Sequence, residues 1–186
     1  NKHPGYQIYQ RRGFMETPGA FGVLVSATRI LLDAIQNQYK RILILEDDII
    51  LHKNFEKEFN ERINLIPQDW KLLYFGTSLH KWRFKERCRI NTHKKYMSAK
   101  GTIAGAFSVG IDVSIYKTLL KDLSITNKAW DVGSLRLINT LYNNKVIIMN
   151  PYIMVCDTRD SDIRRSKSLE EKSGTSGWKL NDFDFS

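Results

Sequence analysis

Residues 42–48 read Ile-Leu-Ile-Leu-Glu-Asp-Asp, so four branched aliphatic residues are followed at once by three acids. A short continuous aliphatic run is typical of a strand that is buried on both faces, as in a parallel sheet. Three adjacent carboxylates repel one another, and burying even one of them is costly without compensation. Ligand sites in open α/β sheets lie beyond the carboxyl ends of the strands. This stretch therefore predicts a buried strand that ends at a functional site.

The sequence on either side of this stretch alternates between helical and strand patterns. Helices are predicted from Gly22, Asn54, Asp112 and Trp130, and further strands at residues 72–75, 102–109 and 146–149. The small residues 104–106 within the second of these strands predict that another group approaches the backbone closely there. Helices that alternate with apolar strands indicate a layered α/β fold. We expect one domain over residues 1–186, with an N-terminal loop at 1–21 and a long polar surface segment at 157–186.

Positive charge is concentrated in one segment of the chain. The 186 residues carry 29 Lys and Arg against 20 Asp and Glu, a formal net charge of +9. Residues 77–100 contain eight basic residues and one acid, which leaves +7 of that excess in this basic segment. It is typical either of a solvated loop or of a surface that binds phosphate or carboxylate groups. The composition as a whole, 42% hydrophobic and 26% charged, argues against wholesale disorder, and no apolar run approaches the roughly 18–20 residues of a membrane span.

The three acids at the strand end have two interpretations. Along an extended chain Glu46 and Asp48 point to one side and Asp47 to the other. A hard divalent cation, Mg²⁺ or Mn²⁺, is the simplest compensation for such a cluster, because it prefers one or two carboxylates together with phosphate oxygens and water. The alternative is an acidic turn that is merely solvated. We favour the metal site, because acidic pairs in general are common whereas a buried strand that ends in three acids is less so.

Two enzyme families share this strand end. Receiver domains of response regulators also carry an acidic pair that holds Mg²⁺, but their fold starts at this strand and needs an Asp after a later one, whereas the next strand here ends Tyr74-Phe75-Gly76. The other family fits better. Residues 22–55, GVLVSATRILLDAIQNQYKRILILEDDIILHKNF, with residues 69–76, 101–110 and 130–132, resemble the family 25 glycosyltransferases of the lipooligosaccharide-biosynthesis type and their GT-A relatives. The resemblance covers roughly residues 19–150.

This resemblance implies a GT-A fold, an α/β architecture with a mixed, mainly parallel sheet flanked by helices. It implies transfer of a sugar from a nucleotide sugar, a UDP-sugar, to a hydroxyl group, with Mn²⁺ or Mg²⁺ on the diphosphate. Asp48 is the first candidate for direct coordination. Glu46 would assist through water or hold the ribose, and Asp47 is the reserve candidate. Inverting transfer needs a base, and Asp131 matches the acid of the family near the acceptor; its other interpretation is an N-cap of the following helix.

Further residues are expected around the donor. Arg12 and Lys100 are our candidates for the diphosphate, beside Arg11, Arg164 and Arg165. The C-terminal segment 157–186 is expected to act as a lid that could also supply a metal ligand. Trp178 either stacks on a sugar or anchors this segment to the core. The N-terminal strand and helix usual in such enzymes are missing or reduced to residues 1–21, so we expect a truncated chain or a minimal GT-A enzyme.

The expected partners follow from the same resemblance and from the basic segment. We expect a glycan, glycolipid or glycoprotein acceptor, anionic in character, with peripheral membrane contact and no nucleic acid. Two cysteines, Cys88 and Cys156, are expected to be reduced thiols of a cytoplasmic protein.

Two other functions stay open. One is a nucleic-acid or polyanion-binding module, because Trp82, Phe84 and Tyr96 are interleaved with basic residues. The other is an inactive protein that keeps the GT-A fold.

Overall fold

The structure is a computed structural model that describes residues 17–78, 89–91, 95–98, 103–126, 128–159, 168, 170–171, 173 and 177–185. Its α-helices are α1 (Pro18–Gln36), α2 (Phe55–Ile63), α3 (Tyr116–Leu123) and α4 (Arg136–Leu141). Its strands are β1 (Arg41–Leu45), β2 (Ile49–Leu51), β3 (Leu72–Tyr74), β4 (Arg89–Asn91), β5 (Tyr96–Ser98), β6 (Ser108–Asp112), β7 (Val146–Met149) and β8 (Met154–Cys156). The predicted alternation of helices and strands is confirmed.

Six of these strands form one mixed sheet in the order β1-β6-β3-β7-β5-β4, and β2 pairs with β8 in a separate small sheet. Among the described strands of the large sheet, β3 and β7 are parallel and the other four pairings are antiparallel. The mixed α/β sheet flanked by helices agrees with the expected fold class, whereas the expected majority of parallel pairings is not observed. The physical reason is that β6 runs between β1 and β3 in the opposite direction, and an aliphatic run carries no information about the direction of its neighbours.

Strand β1, which ends at the three acids, lies at the edge of the sheet that the described strands form. Ile42 and Ile44 pack against the core that contains α1. On the other face Leu43 and Leu45 are 44% and 47% exposed. The expectation that this strand is buried on both faces is therefore wrong. Alternate side chains of an edge strand point to opposite faces, and only one face of β1 is covered by described residues.

Helix α1 covers that face of the sheet and begins earlier than the predicted Gly22. The Thr17 hydroxyl accepts a hydrogen bond from Ala20 N at 3.1 Å, and Pro18 occupies the first turn, so both residues favour a helix start here. With 19 residues and a mean hydropathy of 1.4, this helix is long and apolar enough to cross a membrane, although it also carries Arg29 and Asp33. It buries six residues in the core, which is the behaviour of a core helix in a globular domain: Ala20, Phe21, Leu24, Ala27, Leu31 and Ala34.

The described part of the C-terminal segment is anchored to the core. Trp178 is buried, and its indole N–H donates to Thr77 O at 2.9 Å. Phe183 is also buried and pairs with His52 beside β2. This confirms the anchoring interpretation of Trp178 and gives residues 177–185 a structural role that a polar surface segment would not have. The lid was expected over residues 157–186, of which 160–167 lie outside the described residues, and this role stays a prediction.

Candidate active site

The acids that follow β1 lie where the chain passes from the large sheet to the small one. Glu46 N donates to Phe107 O at 2.9 Å, which continues the pairing of β1 with β6 by one bond. Strand β2 then pairs with β8, and just before this pair Asp157 N donates to Asp48 O at 2.8 Å. The backbone therefore places Asp48 next to Asp157, two residues that are far apart in the sequence.

Two cavities meet at these acids. The larger, called the outer cavity below, has a volume of about 690 Å³ and is lined by α1, the residues at the end of β1, and Trp130. The smaller, called the inner cavity below, has a volume of about 170 Å³ and is lined by residues from six segments: Ala20, Val23, Glu46, Asp48, Ser78, 105–107, 129–131 and 156–158. Glu46 and Asp48 line both cavities, whereas Asp47 lines the outer one alone. This distribution is consistent with the predicted alternation along the chain.

Carboxylates crowd the junction of the two cavities. Burial, followed by the charges of Asp48, Asp131 and Asp47, raises the pKa of Glu46 to about 7. More than a third of the Glu46 surface is nevertheless exposed to solvent, which screens these interactions. Burial, and then the charges of Asp47 and Asp157, also raises the pKa of Asp48, although a backbone hydrogen bond opposes the shift. The ionised forms of Glu46 and Asp48 are therefore disfavoured, and a nearby positive charge would stabilise them.

One oxygen of Asp48 lacks a hydrogen-bond partner. Asp48 Oδ1 is buried, and no described residue donates to it. A buried carboxylate oxygen without a donor is costly, because it has lost its water and gained nothing in exchange. Within the described residues no three His, Cys, Asp or Glu side chains form a ready metal cage. Mg²⁺ and Mn²⁺ do not need one, since substrate phosphate and water complete their coordination.

Asp131 lines the inner cavity and starts a π-helical turn, Asp131–Leu135. Its Oδ1 accepts the N–H of Val132 at 2.8 Å, and its Oδ2 accepts the N–H of Gly105 at 3.0 Å. The turn begins at Asp131, with Trp130 as its N-cap residue and no capping hydrogen bond from a side chain. A capping side chain binds the N–H of the second or third helical residue, whereas Asp131 binds that of its direct neighbour, so the capping interpretation is wrong. Because each carboxylate oxygen has a second lone pair, the same contacts also orient the group toward the cavity, and the role of base stays a prediction.

Gly105 belongs to the stretch of small residues where the sequence predicts a close approach. Its φ is +88°, and a Cβ there would lie 2.9 Å from Ser78 N. Only glycine combines that backbone conformation with that proximity at low cost. Residues 103–106 are irregular, and the predicted strand at 102–109 begins only at Ser108. The close approach is confirmed, and it brings Ser78, Gly105 and Asp131 together.

Asp157 and Arg159 belong to the C-terminal segment 157–186, from which the sequence predicted a metal ligand without naming the residue. Arg159 Nε lies 3.0 Å from both carboxylate oxygens of Asp157, and Nη2 also donates to Oδ2. These hydrogen bonds, more than any other factor, lower the pKa of Asp157. Asp157 directly follows the apolar run of β8, as Glu46 follows that of β1, and this strand-end signal could have identified it.

Several predicted residues cannot be placed. Arg12 and Lys100 lie outside the described residues, as do Arg11, Arg164, Arg165, Asp160, Asp162 and most of the basic segment. His52 is described, but its Nδ1 accepts the N–H of Asn54 at 3.0 Å and its ring contacts Phe183, so it lines neither cavity.

The family model described as glycosyltransferase family 25 (LPS biosynthesis protein) matches residues 14–127, more than half of the chain. A search of curated proteins found no match. The matched range includes Glu46, Asp48 and Gly105, whereas Asp131 and Asp157 lie beyond it.

Proposed function

Because the chain belongs to glycosyltransferase family 25, we propose that it transfers a sugar from a UDP-sugar to a saccharide hydroxyl in a cation-dependent, inverting reaction. The observation that carries this proposal is the buried, unpartnered Oδ1 of Asp48 at the junction of the two cavities. A binding module for polyanions would gain nothing from carboxylates at this position.

The residues present fit a divalent cation. Asp48 would coordinate it directly, and Glu46 would act through water or hold the ribose. Asp157 lines the same cavity and its N–H binds Asp48 O, so it would share the cation. Asp47 remains the reserve ligand on the side of the outer cavity. When bound, Mn²⁺ or Mg²⁺ neutralises the charge that develops on the leaving diphosphate.

The two cavities suggest how donor and acceptor are arranged. The outer cavity falls within the roughly 300–1,000 Å³ of typical small-molecule sites, so we assign the nucleotide to it. The inner cavity is smaller and holds Asp131, to which we assign the removal of the acceptor proton. The contacts with Gly105 and Val132 keep this carboxylate in one orientation while it accepts the proton.

The acceptor follows from the family description and from the charge of the chain. The family model is named for LPS biosynthesis, so we propose a glycolipid glycan as the acceptor in preference to a glycoprotein. The basic segment 77–100 would bind its anionic groups or an anionic membrane surface, with Arg12 and Lys100 on the diphosphate. We place the enzyme in the cytoplasm or at the periphery of a membrane, without a nucleic-acid partner.

Calorimetric titration of UDP with and without Mn²⁺ tests this proposal on the wild type and on Asp48→Ala. We expect UDP binding that depends on Mn²⁺ and that weakens more than about 100-fold in the variant. Even the replacement of a residue that only supports a metal ligand lowers metal affinity about 10- to 100-fold. Glu61→Ala is the control, because Glu61 is an exposed acid paired with Lys95 and lines neither cavity. Absence of UDP binding to the wild type would refute the proposed function. Unchanged binding by Asp48→Ala would refute the assignment of Asp48.

A further inference from the structure

Arg159 places a positive charge beside Asp157, one of the carboxylates that line the inner cavity. Its guanidinium group contacts both carboxylate oxygens of Asp157, which lines the inner cavity with Glu46 and Asp48. Asp157 in turn is joined to Asp48 through the backbone hydrogen bond between β8 and β2. The side chain of Arg159 is 54% exposed, so solvent screens its ion pair with Asp157.

From this arrangement we infer that Arg159 changes partner during substrate binding. It pairs with Asp157 when the site lacks a cation, and it moves to the donor diphosphate once a cation occupies Asp48 and Asp157. This inference rests on the proposed function, because it requires a cation and a nucleoside diphosphate at this site. It adds a residue and a coupling between the two ligands that family membership does not assign.

The energetics favour such an exchange. A pair as exposed as Arg159 and Asp157 changes a binding constant by no more than about fivefold, so a divalent cation displaces the guanidinium group easily. Asp157 Oδ1 keeps the N–H of Arg159 at 3.0 Å, which holds the carboxylate in place after the guanidinium group leaves. A guanidinium group binds phosphate with two parallel hydrogen bonds, a geometry that suits a diphosphate. The released guanidinium group would therefore find a partner of opposite charge in the diphosphate that the cation holds.

The consequence is that cation and nucleotide assist each other. In the absence of nucleotide, Arg159 competes with the cation for Asp157 and weakens cation binding. In its presence, Arg159 contacts the diphosphate and strengthens nucleotide binding. Removal of this side chain must therefore change the two affinities in opposite directions, a result that a purely structural role would not produce.

The test uses Arg159→Ala in two titrations, Mn²⁺ alone by electron paramagnetic resonance and UDP at saturating Mn²⁺ by calorimetry. We expect Mn²⁺ to bind about two- to fivefold more tightly and UDP about 10- to 100-fold more weakly than in the wild type. Lys145→Ala is the matched control, because Lys145 forms an exposed ion pair with Asp69 and lines neither cavity.

The outcomes separate this inference from the proposed function. If the wild type binds UDP with Mn²⁺ and Arg159→Ala binds both ligands as the wild type does, the exchange is refuted and the proposed function stands. A loss of both affinities in the variant would also refute the exchange, because Arg159 would then only maintain the site. If the wild type binds no UDP, the proposed function itself fails.

Discussion

Replacement of Glu46 by glutamine should stabilise the cation-free protein at alkaline pH. Burial and, after it, the neighbouring carboxylates raise the pKa of Glu46 from 4.5 to about 7. The folded state therefore holds the proton more tightly than the unfolded chain does. The stability that this proton confers is complete below about pH 4.5 and is lost as the pH rises through about 7. Above that pH the ionised Glu46 opposes folding, and glutamine does not.

The magnitude follows from the two pKa values. Their difference corresponds to roughly 3 kcal/mol. Because Glu46 is exposed, solvent screening reduces this to about 1 kcal/mol. Glu46→Gln should therefore gain about 1 kcal/mol in free energy of unfolding over the wild type at pH 8, and close to nothing at pH 5.

Urea denaturation at pH 5 and pH 8 with EDTA measures this difference. Glu56→Gln is the matched control, since Glu56 is an exposed glutamate of α2 that lines neither cavity. Mn²⁺ should reduce or reverse the advantage of Glu46→Gln at pH 8, because a cation relieves the repulsion that the variant removes. A variant less stable than the wild type at pH 8, or a difference that does not depend on pH, would refute the reasoning.

Two further predictions concern the base and the C-terminal anchor. Asp131→Asn should reduce turnover of a UDP-sugar by at least about 100-fold while UDP affinity stays within about twofold, because a general base contributes 10²–10⁴-fold; unaltered turnover in a coupled UDP-release assay would leave Asp131 only its structural contacts with Gly105 and Val132. Trp178→Ala should lower the free energy of unfolding by about 3–5 kcal/mol in urea, since it removes a buried indole and its hydrogen bond to Thr77; a loss below about 0.5 kcal/mol is what a solvated surface position would give.

The elements that could be predicted from the sequence are those with a residue pattern inside the element itself. The helical spacing of α1, the aliphatic runs of β1, β3 and β7, and the acids after β1 are local patterns, and each is found in the structure. The close approach at Gly105 was also predicted, because small residues in a row have few other uses. Each of these features shows as a pattern among neighbouring residues, and such a pattern is visible in a single sequence.

Features that depend on distant residues were not predicted. Nothing in the run 42–45 tells an edge strand from a central one, so the exposure of Leu43 and Leu45 was missed. The contact between Asp48 and Asp157 arises from the pairing of β2 with β8, two short strands with no pattern that identifies them as partners. The burial of Trp178 was one of two open interpretations, because an aperiodic segment gives no sign of the surface that it covers.

The central claim is that the end of β1 holds a cation that binds a nucleotide sugar through its diphosphate. Anomalous diffraction from crystals of the protein grown with MnCl₂ and UDP tests it most directly, because the manganese position is observed independently of any activity. We predict a single strong anomalous peak at coordination distance from the carboxylate of Asp48 and from the diphosphate, with Asp157 beside it. Bound UDP with no manganese at Asp48, or manganese held by a different group of residues, would contradict the account.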